Sequence, residues 1–296
     1  MIHYTQTPIQ QINQERVQAA GIKLFIKRED MNHPHISGNK WWKLKYNLIK
    51  ADELGYKTIL TFGGAYSNHI YSTAAATKQC HFESIGIIRG EETVPLNPTL
   101  HFAKDMGMQL HYVSREAYRM KTEYEFIKDL KNTNGDFYLI PEGGSNELAV
   151  KGCAEFGRNL INELDFDYVC LPVGTGATMA GVVAGIGNTK RVIGFSVLKG
   201  GNFLLAHVET YLLNYSDSYF SNWEINTDYH FGGYAKYTNE LIDFKKQFET
   251  EYEIPLDKIY TAKMMAGIFD LIQKDYFKRG STVLAIHTGG LQGNII

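Results

Sequence analysis

Short apolar runs alternate with amphipathic helical stretches along almost the whole chain, and glycine-rich turns stand at several junctions between them. No other feature of the sequence restricts the fold as much. Strands covered by helices on both faces of a parallel sheet read as near-continuous apolar runs. The runs are "IKLFIK" (22–27), "TILTF" (58–62), "ESIGII" (83–88), "QLHYV" (109–113), "FYLI" (137–140), "YVCLPV" (168–173), "RVIGFSV" (191–197) and "TVLAIH" (282–287). Between them the pattern predicts helices over 40–55, 67–80, a region near 98–106, a charged stretch ending near Asn132, 147–164, the small-residue "ATMAGVVAGI", 203–213, 238–252 and 261–277. The segment 214–238 lacks clear periodicity and is rich in Tyr, Asn and Gly, which suggests an ordered functional loop.

With 296 residues and 44% hydrophobic content, the chain can bury a large core in one or two domains. A formal charge of −2, with both signs interspersed, gives no footprint for nucleic acid or anionic membrane. Cys80, Cys153 and Cys170 lie far apart without CxxC spacing, so they read as buried thiols of a reducing compartment. "MIHYTQTPIQQ" has no basic or apolar leader character, and no run approaches membrane-spanning length. A soluble, cytoplasmic protein is the expectation, with neither a metal site nor a disulfide framework.

Chemistry concentrates in the junctions "FGGAYSNH", "PEGGSNE", "PVGTGATMAG" and "HTGGLQG". In open α/β sheets, ligands bind where such loops gather at the carboxyl ends of strands. In the third, an apolar strand runs through Gly174, Thr175, Gly176, Ala177 and Thr178 into a helix of small residues. Glycines let backbone N–H groups converge on an anion, and the helix dipole adds positive charge there. Phosphate is the expected guest, but no Gly-Lys-Ser/Thr follows and the third glycine comes late, at Gly181, so this is neither a Walker loop nor a dinucleotide fingerprint. In "HISGNKWWKL", Lys40 falls at a helix start beside aromatic bulk, where desolvation would free its amine as a nucleophile. A solvated surface lysine is the plainer reading of that stretch alone. A phosphate cradle together with an activated lysine points to pyridoxal phosphate.

The motifs occur in the order of a known family. "KRED" followed by "GNKWWKLKYNL", then "GGAYSNHIYSTAAA", "VGTGATMAGVVAG" and "IYTAKMMAGIFDLI", resembles the 1-aminocyclopropane-1-carboxylate deaminase / D-cysteine desulfhydrase family. These are pyridoxal-phosphate enzymes of the tryptophan-synthase-β fold type. The resemblance implies an α/β fold of two open, twisted, mostly parallel sheets flanked by helices. It implies that Lys40 carries the cofactor and shuttles the α-proton, that Lys43 helps neutralise the phosphate, and that Asn68 bonds the cofactor's 3′-oxygen. Backbone N–H groups of the 67–69 turn would grip the substrate carboxylate, with Ser67 near the α-carbon. Ser67 and Asn68 are also ordinary helix-cap residues. Relatives of this kind are commonly homodimers. Two departures stand out: family arginines are replaced by Trp42 and Tyr71. Strand counts on either side of "PEGGSNE" suggest a small domain over 52–150 and a large one from 1–51 and 151–296, with the cofactor between.

Two positions bear on the reaction. His69 stands where deaminases of the family resemble Ser-Asn-Gln, and Thr261 stands where they carry a glutamate against the pyridine nitrogen. A neutral threonine leaves the ring a weaker electron sink, sufficient when the β-substituent leaves easily. β-Elimination and deamination of a small amino acid, D-cysteine foremost, is therefore expected, with 1-aminocyclopropane-1-carboxylate deamination as the alternative. Tyr234 and Tyr260 resemble the family's two active-site tyrosines, although aromatic packing would also explain them. A non-catalytic cofactor-binding protein is a further reading. So is a threonine or serine dehydratase, which "GNKWWKL" disfavours.

Overall fold

The structure, a computed structural model, describes residues 2–295. It begins with β1 (Ile9–Ile12), α1 (Glu15–Ala19), β2 (Lys23–Lys27) and α2 (Asn39–Glu53). Then follow β3 (Thr58–Gly64), α3 (Asn68–Gln79), β4 (Glu83–Arg89), α4 (Pro98–Asp105), β5 (Met108–Val113), α5 (Arg115–Arg119), α6 (Tyr124–Asn134) and β6 (Tyr138–Ile140). After α7 (Glu147–Glu163) come β7 (Tyr168–Val173), α8 (Ala177–Ile186), β8 (Arg191–Ser196), α9 (Phe203–Tyr215), β9 (Trp223–Asn226), α10 (Asn239–Tyr252), α11 (Thr261–Gln273) and β10 (Thr282–Ile286).

The strands form two sheets, one in the order β1-β2-β10-β7-β8-β9 and the other β5-β4-β3-β6. Every pairing is parallel except β1 with β2. Period-two alternation divides the central strands of the larger sheet between two cores. Val169, Leu171, Val173, Leu284 and Ile286 face the helices α2, α7, α8 and α9, whereas Cys170, Val283 and Ala285 face α10 and α11. The smaller sheet is likewise covered twice. Leu60, Phe62, Ile85 and Ile87 pack with Tyr118 and Phe137, while Ile88 and Met108 pack with Ile70, Ala74, Leu100 and Ala103. These are the two mostly parallel, helix-flanked sheets expected from the sequence. Among the described residues, no helix is long and apolar enough to cross a membrane.

Three helices meet at backbone range. A Cβ on Gly152 of α7 would lie 1.9 Å from the Trp42 carbonyl oxygen of α2, and one on Gly181 of α8 would lie 2.3 Å from Cys153 Cβ of α7. Glycine permits that approach, which brings the starts of α2 and α8 together. The structure adds β1 and β9, which the periodicity did not reveal, and it divides the charged helix ending near Asn132 into α5 and α6.

Candidate active site

The start of α2 is locked against the end of the chain. Gly38 caps the helix at φ +68°, and any Cβ there would sit 1.9 Å from the Thr288 carbonyl oxygen. Asn39 N–H donates to that oxygen at 3.3 Å, and Gly38 N–H donates to the Glu29 carbonyl at 2.9 Å. Lys40 follows at once, with its side chain lining a cavity of about 610 Å³. Burial pushes its pKa down to about 8. Lys43, one turn on, is pushed well down by its own burial and then by Lys40. Neither has a carboxylate within ion-pair distance among the described residues.

Opposite them, α8 begins without a side-chain cap, after Gly176 at φ +91°. Around that helix start, Lys43 Nζ donates to Ser145 Oγ at 2.9 Å, Ser145 Oγ meets Thr175 Oγ1 at 2.6 Å, and Asn39 Nδ2 donates to Thr178 Oγ1 at 2.9 Å. Uncapped N–H groups facing two desolvated amines suit a phosphate and an aldehyde.

The model of the pyridoxal-phosphate dependent enzyme family matches residues 1–289. The chain belongs to that family. A Pyrococcus horikoshii protein, provisionally named a 1-aminocyclopropane-1-carboxylate deaminase, is 30% identical over 97% of this chain and 90% of its own. The mitochondrial bifunctional D-cysteine desulfhydrase/1-aminocyclopropane-1-carboxylate deaminase of Arabidopsis thaliana is 31% identical, over 92% of this chain and 73% of its own. A crystal structure of a 1-aminocyclopropane-1-carboxylate deaminase homologue superposes with a TM-score of 0.85 at 27% identity, covering 98% of this chain and 91% of that one. The tryptophan-synthase-β fold type and the pyridoxal phosphate cofactor expected from the sequence are those of the family.

In this pyridoxal-phosphate enzyme, most residues singled out from the sequence come to one cavity: Lys40, Lys43, Ser67, Asn68, His69, Gly174, Thr175, Gly176, Thr178, Tyr234 and Tyr260. Ala177 and Thr261 are fully buried outside its lining. Thr261 Oγ1 donates to Asp257 Oδ2 at 2.7 Å and accepts from Asp257 N–H at 2.9 Å, so its hydroxyl serves the start of α11. Ser67 caps α3, accepting from His69 N–H at 3.2 Å and Ile70 N–H at 3.3 Å. Asn68 Oδ1 accepts from Gln292 Nε2.

His69 is fixed as a neutral imidazole. Thr61 Oγ1 gives its proton to the Ile140 carbonyl at 2.7 Å, so His69 Nε2, also 2.7 Å away, must be the donor in their contact. Nδ1 then accepts from Thr73 Oγ1 at 3.3 Å. Burial, followed by Lys40 and Lys43, pushes the ring's pKa well down. Tyr260 is held well above an ordinary phenol by burial and then by Tyr234, whose ring stands 6.2 Å away at 73°. Partial desolvation at the cavity wall raises Tyr234 as well, although the residue is 44% exposed. Both are therefore proton donors near neutral pH.

Sequence reasoning passed over Arg89, Arg115, Glu142 and Thr288, which also line the cavity. Thr288 lies inside the glycine-rich "HTGGLQG", and Glu142 inside "PEGGSNE". Arg89 ends a strand whose neighbour β5 is followed two residues later by Arg115, so both lie at the carboxyl edge of the smaller sheet. Position at a strand's carboxyl end was the available signal for the arginines.

Proposed function

We propose that this enzyme deaminates 1-aminocyclopropane-1-carboxylate, opening the ring and giving 2-oxobutanoate and ammonia with uptake of one water. The observation that carries the reading is Lys40: a half-buried, desolvated amine with no carboxylate within ion-pair distance among the described residues, facing the same cavity as a pair of protonated tyrosines. The names of its relatives support the substrate.

Bound pyridoxal phosphate supplies an electron sink for charge developing at the α-carbon. Lys40 would hold the cofactor covalently and then take a proton from a ring methylene of the substrate, whose α-carbon carries none, a task suited to an amine whose pKa lies near 8. Lys43 and the N–H groups at the start of α8 would hold the phosphate. For the 67–69 turn to grip a carboxylate, the Ser67 hydroxyl must turn away and release the His69 N–H. Tyr260 and Tyr234 would deliver a proton to the carbon freed by ring opening.

This reverses the order expected from Thr261. The contrast of threonine with glutamate as partner for the pyridine nitrogen loses much of its force, because the Thr261 hydroxyl is already engaged with Asp257. β-Elimination from D-cysteine is the second reading, favoured by the double activity named for the Arabidopsis relative. The test is 2-oxo-acid release from each compound by purified holoenzyme. We expect kcat/KM for the cyclopropane at least tenfold above that for D-cysteine, a barrier difference of about 1.4 kcal/mol. A tenfold preference for D-cysteine installs the second reading, and no turnover of either overturns both.

A further inference from the structure

Tyr234 reaches the cavity on a stretch that has little to hold its shape. Residues 227–237 form turns and bends without helix or strand. Their backbone passes through positive φ at Phe231 (47°), Gly232 (95°), Gly233 (107°) and Ala235 (56°). Phe231 and Ala235 carry a Cβ, which makes that region unfavourable, so something outside the stretch must impose the bend.

Lys263, in the first turn of α11, is 0% exposed. Its Nζ donates to the carbonyl oxygens of His230 and Gly233, each at 2.8 Å. The same two oxygens close the local turns, accepting from Gly233 N–H at 3.0 Å and Lys236 N–H at 3.1 Å. Asp257, the charge that acts on this ammonium, accepts instead from the N–H groups of Ile259, Tyr260 and Thr261. A buried cation satisfied by carbonyls is poor packing compared with an apolar side chain, so its presence calls for a reason beyond filling space. The geometry supplies one. Tyr260 is the residue at the start of α11, and Tyr234 directly follows the clamped Gly233. One helix end therefore sets both tyrosines, the first through the chain and the second through this ammonium.

We infer that Lys263 is a positioning residue: it gathers the His230 and Gly233 carbonyls and so holds Tyr234 against Tyr260 at the cavity wall. The inference rests on the proposed role of Tyr234 in the reaction. It should act on turnover through Tyr234 alone and leave cofactor binding intact.

The test uses the holoenzyme and its Lys263→Met, Tyr234→Phe and doubly substituted forms. Lys263→Met should keep the visible absorbance of bound cofactor and lower kcat at least tenfold, with KM changed less than threefold. In the Tyr234→Phe background the same substitution should cost less than twofold. A loss of equal size in both backgrounds overturns the inference, as does loss of the cofactor or no loss of kcat. A second readout needs no substrate. Lys236 is exposed within the clamped stretch, so trypsin should cut after it at least tenfold faster in Lys263→Met than in wild type. An unchanged cutting rate overturns the clamp even if activity falls. Faster cutting supports it even where the wild type turns over neither compound, a result that overturns only the proposed function. If Lys263→Met does not fold, Lys263→Gln retains donors for the carbonyls and should show smaller changes in the same directions. If neither folds, lysine is there for stability alone and the inference fails.

Discussion

Lys40 differs from an ordinary lysine in where its proton leaves, and that difference can be measured. An amine reacts with an aldehyde only when neutral, so an ordinary lysine speeds up until the pH nears about 10.4. Burial brings Lys40 to about 8. The rate at which apoprotein takes up pyridoxal phosphate should therefore climb to about pH 8 and level off above it. A rate still climbing steeply at about pH 9.5 would contradict the desolvation argument. Trp42 gives a second case. The sequence showed a family arginine missing at this position, but not what the tryptophan does instead. Its Nε1–H donates at 2.7 Å to Glu29 Oε2, in a buried carboxylate that also accepts from Thr7, Asn32 and Tyr4. Glu29 is thus satisfied by neutral donors. Trp42→Phe keeps an aromatic ring against Phe156 but removes one donor, and it should cost about 1–3 kcal/mol in urea unfolding. A loss below about 0.5 kcal/mol would show that water replaces the indole. His69 illustrates the limit of reading at this scale: its tautomer depends on Thr61 and Thr73, partners that spacing along the chain does not reveal.

At the scale of elements, the approach of α8 to α7 sets two effects against each other at Gly181. Alanine should gain about 1 kcal/mol over glycine in helix propensity. Its Cβ, however, would stand 2.3 Å from Cys153 Cβ and 2.7 Å from the Val150 carbonyl, so the helices must part. Overpacking of this kind costs about 1–3 kcal/mol. Repulsion against backbone should win, and Gly181→Ala should lower stability and weaken phosphate retention together, read by thermal unfolding and by cofactor titration. Greater stability with unchanged cofactor affinity would show that the pair has room to adjust. The strands were legible because six of them lie in the interior of a sheet and read as unbroken apolar runs. Four-residue edge strands gave no such signal: β1 and β9 are mostly half-exposed and too short to show a period. The break between α5 and α6 was hidden for another reason. Tyr118 turns inward, with its hydroxyl on Glu142 at 2.9 Å, and this tertiary anchor sets α5 apart although no glycine or proline marks the place.

For the molecule as a whole, we propose that residues 52–150 form a body of their own, with the chain crossing into the remainder through the ends of α2 and α7. The smaller sheet draws all its strands from 58–140 and is covered by α3 and α4 on one face and α5 and α6 on the other. A fragment of residues 52–150 should therefore unfold cooperatively in urea, with a slope of about 1 kcal/mol/M. A gradual loss of signal without a transition would show that this part needs the rest of the protein. The larger sheet has no such independence. Its order places β10 between β2 and β7, so the strand nearest one end of the sequence joins strands from the other end and the middle. As a chain emerges from a ribosome, β1 and β2 must wait, unpaired on their inner edge, until residues 282–286 arrive. An interruption in synthesis shortly before that point would leave a finished smaller sheet attached to two separate ribbons, their apolar edges open to neighbouring chains.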